Sequence, residues 1–383
     1  MSRLYALKDF CEAERDWLVN EIEALAALES PTTDKAAVDR LGHALAVRLE
    51  LIGGRVTRLS RVDAGDHLLA EFGCGASQIL LLGHFDTVWP VGQLERMPIV
   101  HAAGRLHGPG VFDMKAGIAL GMLATRSLLE TGAPRSHRVV MLWTSDEETG
   151  SRTSRAAVED EARRSDAVLV LEPSLAGGAV KTSRKGCGDF ELRVTGVAAH
   201  AGVDPLRGAS AIDELARQIL ALEQLRDPDR GISINVGVVS GGTRPNVVAD
   251  QARASVDVRV PTADDAARIE AWLRALAPAD GRTSLTITGG FSRPPLERTP
   301  PVARLYEQAR LVASELGITL GEGSTGGGSD GNFTAAVGVP TLDGLGAVGD
   351  GAHALHEHVE VASLPGRAAL MAGLIARLCG ADT

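Results

Sequence analysis

The sequence predicts an α/β protein interrupted by a smaller α+β domain, and three observations carry that reading. From about residue 50 to 185, short apolar runs of strand character alternate with helical ones, the pattern of strands buried between helix layers. From about 187 to 296 the order changes to β-α-β-β-α-β, the split βαβ pattern of a ferredoxin-like domain. After about 297 the first style returns, so residues 1–186 and 297–383 are expected to form one domain and 187–296 an insert within it. A chain of 383 residues, 44% hydrophobic and 23% charged, is long enough for two cores.

Each element has its own signal. The first segment, MSRLYALKDFCEAERDWLVNEIEALAAL, reads as one amphipathic helix. It carries charge throughout and has no uninterrupted apolar stretch of signal-peptide or membrane length. HLLAEF and QILLLGH read as strands, KAGIALGMLATRSLLE as a helix, RVVMLWTS as a strand, SRAAVEDEARR as a helix and AVLVLE as a strand. In the insert, strands FELRVTG, ISINVGVVSGG, VVADQARASVDVRV and SLTITGG flank helices ASAIDELARQILALEQL and TADDAARIEAWLRALA. Ile212, Leu215, Ile219 and Leu222, then Ile269, Trp272, Leu273 and Leu276, recur at helical spacing and are expected to cover one sheet face. The last part holds PVARLYEQARLVASELG, the glycine-rich GSTGGGSDGN, the HALHEHVEV segment and a terminal helix from Pro365.

Charge and cysteine content exclude several classes. Forty-nine acidic against 39 basic residues give a net charge of −10, and the only basic cluster is Lys181, Arg184, Lys185, so nucleic acid is not an expected partner. Cys11, Cys74, Cys187 and Cys379 lie far apart without a CxxC pair, which indicates neither a disulfide framework nor a zinc ribbon. A soluble, reduced, cytoplasmic setting without a membrane partner is the expectation.

The chemistry sits where apolar runs end. ILLLGHFD places His84 and Asp86 at alternate positions on one side of an extended chain, a histidine with a carboxylate beside it. Asp113, in GPGVFDMK, precedes a helix expected near Met114; alone it reads as an N-cap, and together with the other motifs as a carboxylate that bridges two cations. Asp146, Glu147 and Glu148 close the run VVMLW, and three adjacent carboxylates at a buried strand end repel unless cations neutralise them. One glutamate there can ligate while the other faces substrate. Glu172 ends AVLVLEP and needs a partner for its charge. Of His353, His356 and His358, one or two can ligate, and spacing does not choose between them. Two histidines with Asp113, Glu148 and Glu172 suit a pair of zinc ions sharing a carboxylate, a hydrolytic arrangement.

The motifs HFDTVWP, GPGVFDMKAG, SDEETGS, LEPS, GVAAHAG, RPNVV followed by DVRV, GGGSD and GAHALHEHV occur in the order found in M20 metallopeptidases, and the chain resembles the glutamate carboxypeptidase branch from about residue 15 onward. The resemblance implies a zinc-exopeptidase-type α/β catalytic domain holding two zinc ions, with cobalt or manganese as substitutes, and an inserted lid through which the family dimerises. It implies His84 and Glu172 on one zinc, Glu148 and His353 on the other, and Asp113 as the bridge, since His353, Glu357 and Val359 fit the family pattern. Glu147 matches the general base that deprotonates the bridging water, and Asp86 the carboxylate supporting His84. His200 matches a histidine that reaches the neighbouring subunit's site. Asn246 and Arg259 match residues that hold the substrate's terminal carboxylate region. Backbone N–H groups at Gly327, Gly328 and Ser329 add anion contacts, and Lys181 and Arg293 fall near positions that receive an acidic side chain. The Asp113–Met114 peptide resembles one that is cis in the family.

These correspondences predict a dizinc hydrolase of N-acylated or peptidyl amino acids with a free C-terminal carboxylate, releasing glutamate. The alternative within the same chemistry is a deacylase of acetylornithine or succinyl-diaminopimelate type. A catalytically silent dimeric binding protein is the alternative from another class, and intact residues at every ligand position and at Glu147 speak against it.

Overall fold

The computed structural model describes residues 3–132 and 137–380. The chain divides into two compact units, Met1–Ser183 with Arg298–Ser324 and Ser329–Thr383, and Arg184–Glu297 with Thr325–Gly328.

The larger unit begins with helices α1 (Arg3–Ala13), α2 (Arg15–Ala26) and α3 (Lys35–Leu51). Strands β1 (Arg55–Leu59), β2 (His67–Phe72), β3 (Ser77–His84), β4 (Val100–Ala102) and β5 (Arg105–His107) follow. Next come α4 (Ala116–Glu130), β6 (His137–Thr144), α5 (Arg155–Arg163), β7 (Ala167–Val170) and β8 (Val180–Arg184). The smaller unit supplies β9 (Gly186–Thr195), α6 (Ala211–Glu223), β10 (Ser233–Gly241), β11 (Gln251–Val260), α7 (Ala263–Arg274) and β12 (Ser284–Arg293). The chain returns with α8 (Pro300–Glu315), β13 (Glu322–Thr325), α9 (Gly331–Ala336), β14 (Thr341–Leu342), β15 (Gly349–Asp350), β16 (His358–Glu360) and α10 (Leu364–Leu378).

The main sheet has the order β1-β2-β6-β3-β7-β14. Its centre is parallel, with β3 running beside β6 and β7, while β2 joins β6 antiparallel. Both faces of β3 are covered, which explains its unbroken apolar run. Leu81, Met141, Trp143 and Leu169 face α1, α2, α4, α8 and α10, whereas Leu80, Leu82, Val140 and Leu142 face α5 and Phe333 of α9. Residues 361–378 have a mean hydropathy of 1.3 over a length that could span a bilayer, but 67% of that window is buried, so its apolarity belongs to the core.

Two local expectations change. The N-terminal segment forms two helices broken at Glu14 (φ −93, ψ 15), whose carboxylate accepts both outer nitrogens of Arg126 at 2.8 and 3.0 Å. The break lets Leu4, Leu7 and Cys11 of one helix and Leu18, Ile22 and Leu25 of the next all reach the core. The helix expected near Met114 starts at Ala116, because Asp113 and Met114 have non-helical backbones; the peptide between them is cis. Gly117 then meets the end of β7: a Cβ there would lie 2.0 Å from the Leu171 carbonyl oxygen. That contact holds the start of α4, and Asp113 before it, against the segment leading to Glu172.

In the smaller unit the sheet order is β10-β11-β9-β12, with all neighbours antiparallel. Ser210 and Thr262 start the two helices by accepting the N–H of Asp213 and Asp265, each at 3.1 Å. Leu215, Leu222, Ile269 and Leu273 are buried against the sheet, and Ile219, Trp272 and Leu276 pack at its margin. Ile212 departs from the expected stripe: as the second residue of α6 it is 45% exposed, one turn before Leu215, the first buried residue of that stripe.

Candidate metal centre

Three neighbouring parallel strands end together, and each delivers chemistry at its carboxyl end. His84 is the last residue of β3, Glu147 and Glu148 lie in the turn after β6, and Glu172 lies two residues beyond β7. Asp113 comes from the loop before α4 and His353 from the loop between β15 and β16.

These side chains form two groups that share one residue. His84, Asp113 and Glu172 offer ligand atoms within 4.8 Å of one another, and so do Asp113, Glu148 and His353. His84 Nε2 lies 3.3 Å from Asp113 Oδ1 and 3.5 Å from Glu172 Oε1. His353 Nε2 lies 3.0 Å from Asp113 Oδ2 and 3.2 Å from Glu148 Oε1. Ligands at about 2.0–2.1 Å from a tetrahedral zinc stand about 3.3 Å apart, which is the spacing found here. The two oxygens of Asp113 face different groups, and its buried Oδ1 has no hydrogen-bond partner among the described residues. An orphaned carboxylate oxygen between two histidine–carboxylate sets fits a bridging ligand.

Electrostatics point the same way. Burial opposes a charge on His84, but Asp113, Asp86 and Glu172 outweigh it and hold its pKa well above the ordinary value. Asp113 and Glu148 push the half-exposed His353 up to about 10. Burial, with Asp113 beside it, raises Glu148, while His353 and His84 outweigh burial at Asp113 and keep its pKa below the usual carboxylate range. Crowded carboxylates thus draw protons onto the histidines, the demand that cations would meet.

The surrounding contacts sort out the acidic run. Asp146 turns away: its Oδ2 accepts the N–H and hydroxyl of Thr153 at 2.7 and 2.8 Å, which leaves Glu148 in the ligand group. Asp86 accepts the N–H groups of Glu147 and Glu148 at 3.3 and 3.2 Å and the Thr32 hydroxyl at 2.7 Å. His84 Nδ1 lies nearer the Asp86 backbone oxygen, at 3.0 Å, than its carboxylate, at 3.3 Å. Asp86 therefore orients His84 through both groups, and it also fixes the turn carrying Glu147. Thr144 and Ser151, on either side of that turn, donate their hydroxyls to Asp330 of the glycine-rich segment.

The remaining candidates divide between the units. In the larger, Lys181 on β8 is buried, and Ser329 departs from expectation. The Ser329 N–H donates to Asn332 Oδ1 at 2.9 Å and its hydroxyl to Asp343 at 2.6 Å, so this N–H is spent within its own turn instead of facing an anion. In the smaller unit, His200 and Asn246 lie on paired segments, with the Ala201 N–H donating to the Asn246 oxygen at 3.0 Å. His200 Nδ1 accepts the N–H groups of Gly202 and Val203, each at 3.1 Å, which places the proton of the neutral ring on Nε2. Arg259 closes its fork on Asp257, with contacts of 2.7–3.0 Å, and also reaches Cys187. Arg293 is buried opposite Cys187 in the sheet register, and a Cβ on Gly328 would meet its side chain at 2.7 Å. The Arg184 guanidinium donates to the carbonyls of Gly327 and Gly328 at 3.2 and 3.1 Å.

The model of peptidase family M20/M25/M40 matches residues 80–377. The chain belongs to this family. The M20 enzyme is 29% identical over 374 residues to carboxypeptidase G2 of Pseudomonas sp. (strain RS-16), covering 94% of this chain and 89% of that one. It is 31% identical over 356 residues to a succinyl-diaminopimelate desuccinylase of Xanthomonas euvesicatoria pv. vesicatoria (strain 85-10), covering 88% and 92%. Its fold is similar to that of the aminopeptidase PepT from Bacillus cereus ATCC 10987, with a TM-score of 0.82 at 24% identity, over 95% of this chain and 98% of the other.

Two further features, one in each unit, were not legible as single residues. Lys115 is fully buried and donates to the Leu28 oxygen at 2.9 Å; burial brings its pKa down to about 7 against the opposing charges of Glu357, Glu29 and Asp86. Asp257, the partner of Arg259, lies two residues away on the same strand face, and that i, i+2 spacing was the available signal.

Proposed function

We propose that this M20 metallohydrolase is a dizinc exopeptidase that removes a C-terminal amino acid, with glutamate preferred, from an N-acyl or peptidyl substrate. The observation that carries the reading is Asp113, whose two oxygens each face a separate histidine–carboxylate pair. His84, Glu172 and Asp113 would hold one cation and Glu148, His353 and Asp113 the other. Bound there, the pair supplies Lewis acidity and lowers the pKa of a coordinated water.

The chain's own residues do the rest. Glu147, on the turn fixed by Asp86, takes a proton from the attacking water as the new C–O bond forms. It returns that proton to the amine nitrogen as the C–N bond breaks. His200 presents Nε2–H as a donor to the developing oxyanion at the site of a second copy. Arg259, aligned by Asp257, and Asn246 bind the substrate's carboxylate end, while Lys181 and Arg293 favour an acidic side chain. A homodimer through the smaller unit fits its edge strand β10, where Val238 and Val239 are 58% and 57% exposed, and α6, where Leu220 is 63% exposed. The four cysteines, far apart in the chain and without a CxxC pair, fit a reducing cytoplasmic setting.

The similarity to a protein named for desuccinylation favours a second reading, deacylation of a small N-acyl amino acid. A panel of glutamyl, aspartyl, neutral, acetyl and succinyl amides separates the two. Fastest release of glutamate supports the first, fastest loss of a succinyl or acetyl group the second, and indifference to a free C-terminal carboxylate contradicts both.

A further inference from the structure

Glu357 lies four residues beyond His353 and is fully buried. Its carboxylate accepts four neutral N–H groups. Oε2 takes Trp89 Nε1–H and the Gly110 N–H, each at 2.9 Å, and Oε1 takes the N–H groups of Phe112 and Asp113 at 2.9 and 3.0 Å. Next to it, the Gly108 N–H donates to the Glu357 backbone oxygen at 3.4 Å, and His358 pairs with His107 in the sheet register. One carboxylate therefore fastens residues 110–113, which end in Asp113, to the loop that carries His353.

These two loops belong to the same ligand group, although they are 240 residues apart in the chain (353 − 113). The Asp113 side chain is positioned by its backbone, and the orientation of that backbone is set by the N–H donated to Glu357. His353 has the opposite problem: it sits in an exposed loop at φ +62, and the first buried side chain after it in sequence is Glu357. We propose that Glu357 is a positioning residue that presets Asp113 and His353 for the cation of the Asp113–Glu148–His353 group, without itself ligating metal or carrying a proton. This rests on the reading of the site as a two-metal centre.

Glu357→Gln is the direct test. The amide keeps the shape but presents an NH₂ where two of the four donors point, so one end of the clamp is lost. Folding of the metal-free variant is checked by circular dichroism, and zinc uptake is titrated against a chelating indicator, with cobalt spectra reporting coordination at each step. The expected result is a second cation bound roughly 10- to 100-fold more weakly than in wild type, with the first changed less, because it shares Asp113 but its other two ligands, His84 and Glu172, do not depend on the clamp. Trp89→Phe, which removes one donor only, should weaken the second cation in the same direction but less, and it serves as the test if Glu357→Gln does not fold. Unchanged second-cation affinity in the folded variant overturns the proposal, and so does equal loosening of both cations. A wild-type protein that takes up no pair of cations would instead overturn the two-metal reading itself, so the two failures are told apart.

Discussion

Replacing Asp86 by alanine tests how the site is built, because this fully buried carboxylate serves the histidine of one ligand group and the turn that carries both Glu147 and Glu148. Its loss removes the acceptor from two amide N–H groups and the Thr32 hydroxyl. The hydroxyl can turn to the Thr87 oxygen, already 3.5 Å away, so the two amides account for the cost. A buried unsatisfied donor costs about 1–3 kcal/mol, and bonds of 3.2–3.3 Å are long, which puts the sum near 2–3 kcal/mol. Asp86→Asn keeps one acceptor oxygen and should lose roughly half as much. Urea unfolding of the metal-free variants reads these values. A second consequence is separate from stability: His84 loses its carboxylate neighbour, so zinc affinity should fall about 10- to 100-fold in both variants. Alanine and asparagine variants within about 0.5 kcal/mol of wild type, with unchanged zinc affinity, would refute the reasoning.

Other consequences follow from the same geometry. Glu147→Ala should keep its metal content near wild type while turnover falls roughly 10²- to 10⁴-fold; retained turnover contradicts its role as base. Because the metal-free His353 pKa is raised to about 10, its protonation stabilises the metal-free fold fully below the unfolded value near 6.5, and that contribution is lost as pH rises through 10. Thermal unfolding of the metal-free enzyme should therefore show a loss between pH 7 and 10 that His353→Ala flattens. Zinc needs the neutral ring, so loading at pH 7 to 8 should release protons, detected by calorimetry in buffers of different ionisation enthalpy. Gly117→Ala drives a methyl into the Leu171 carbonyl and should cost about 3 kcal/mol or more with weakened zinc binding; an unperturbed melt contradicts the close approach. Mixing His200→Ala with Glu147→Ala chains should restore part of the activity if sites are shared across a dimer, and no rescue in demonstrated mixed dimers argues against that arrangement.

The sequence shows the strands of the main sheet because their apolar runs are buried on both faces, and it shows the order of the insert because β and helical periods alternate there without interruption. His84, Glu172 and the acidic run from Asp146 to Glu148 were visible as polar residues where such runs stop. Selection among Asp146, Glu147 and Glu148 was not visible from spacing, since the choice depends on Thr153 capturing Asp146. His353 among its neighbours was likewise singled out by resemblance rather than by spacing, and in the structure it is the one that meets Asp113. The break at Glu14 coincides with an ion pair to Arg126, 112 residues away, and Ile212 lies exposed in the first turn of α6; neither contact with distant residues nor position on a helix end is marked by the local pattern. The Glu357 clamp was hidden for the same reason. Four backbone or indole donors from residues 89–113 converge on it, and contacts of backbone groups leave no mark on the sequence.

The most direct test of the two-metal account is to measure bound metal and release of glutamate from a C-terminal glutamate amide, in zinc-loaded and chelator-stripped protein side by side. The account predicts about two zinc ions per chain and activity that is lost on stripping and recovered with zinc. Undiminished hydrolysis by the stripped protein, or a single tightly bound ion at full activity, would contradict it.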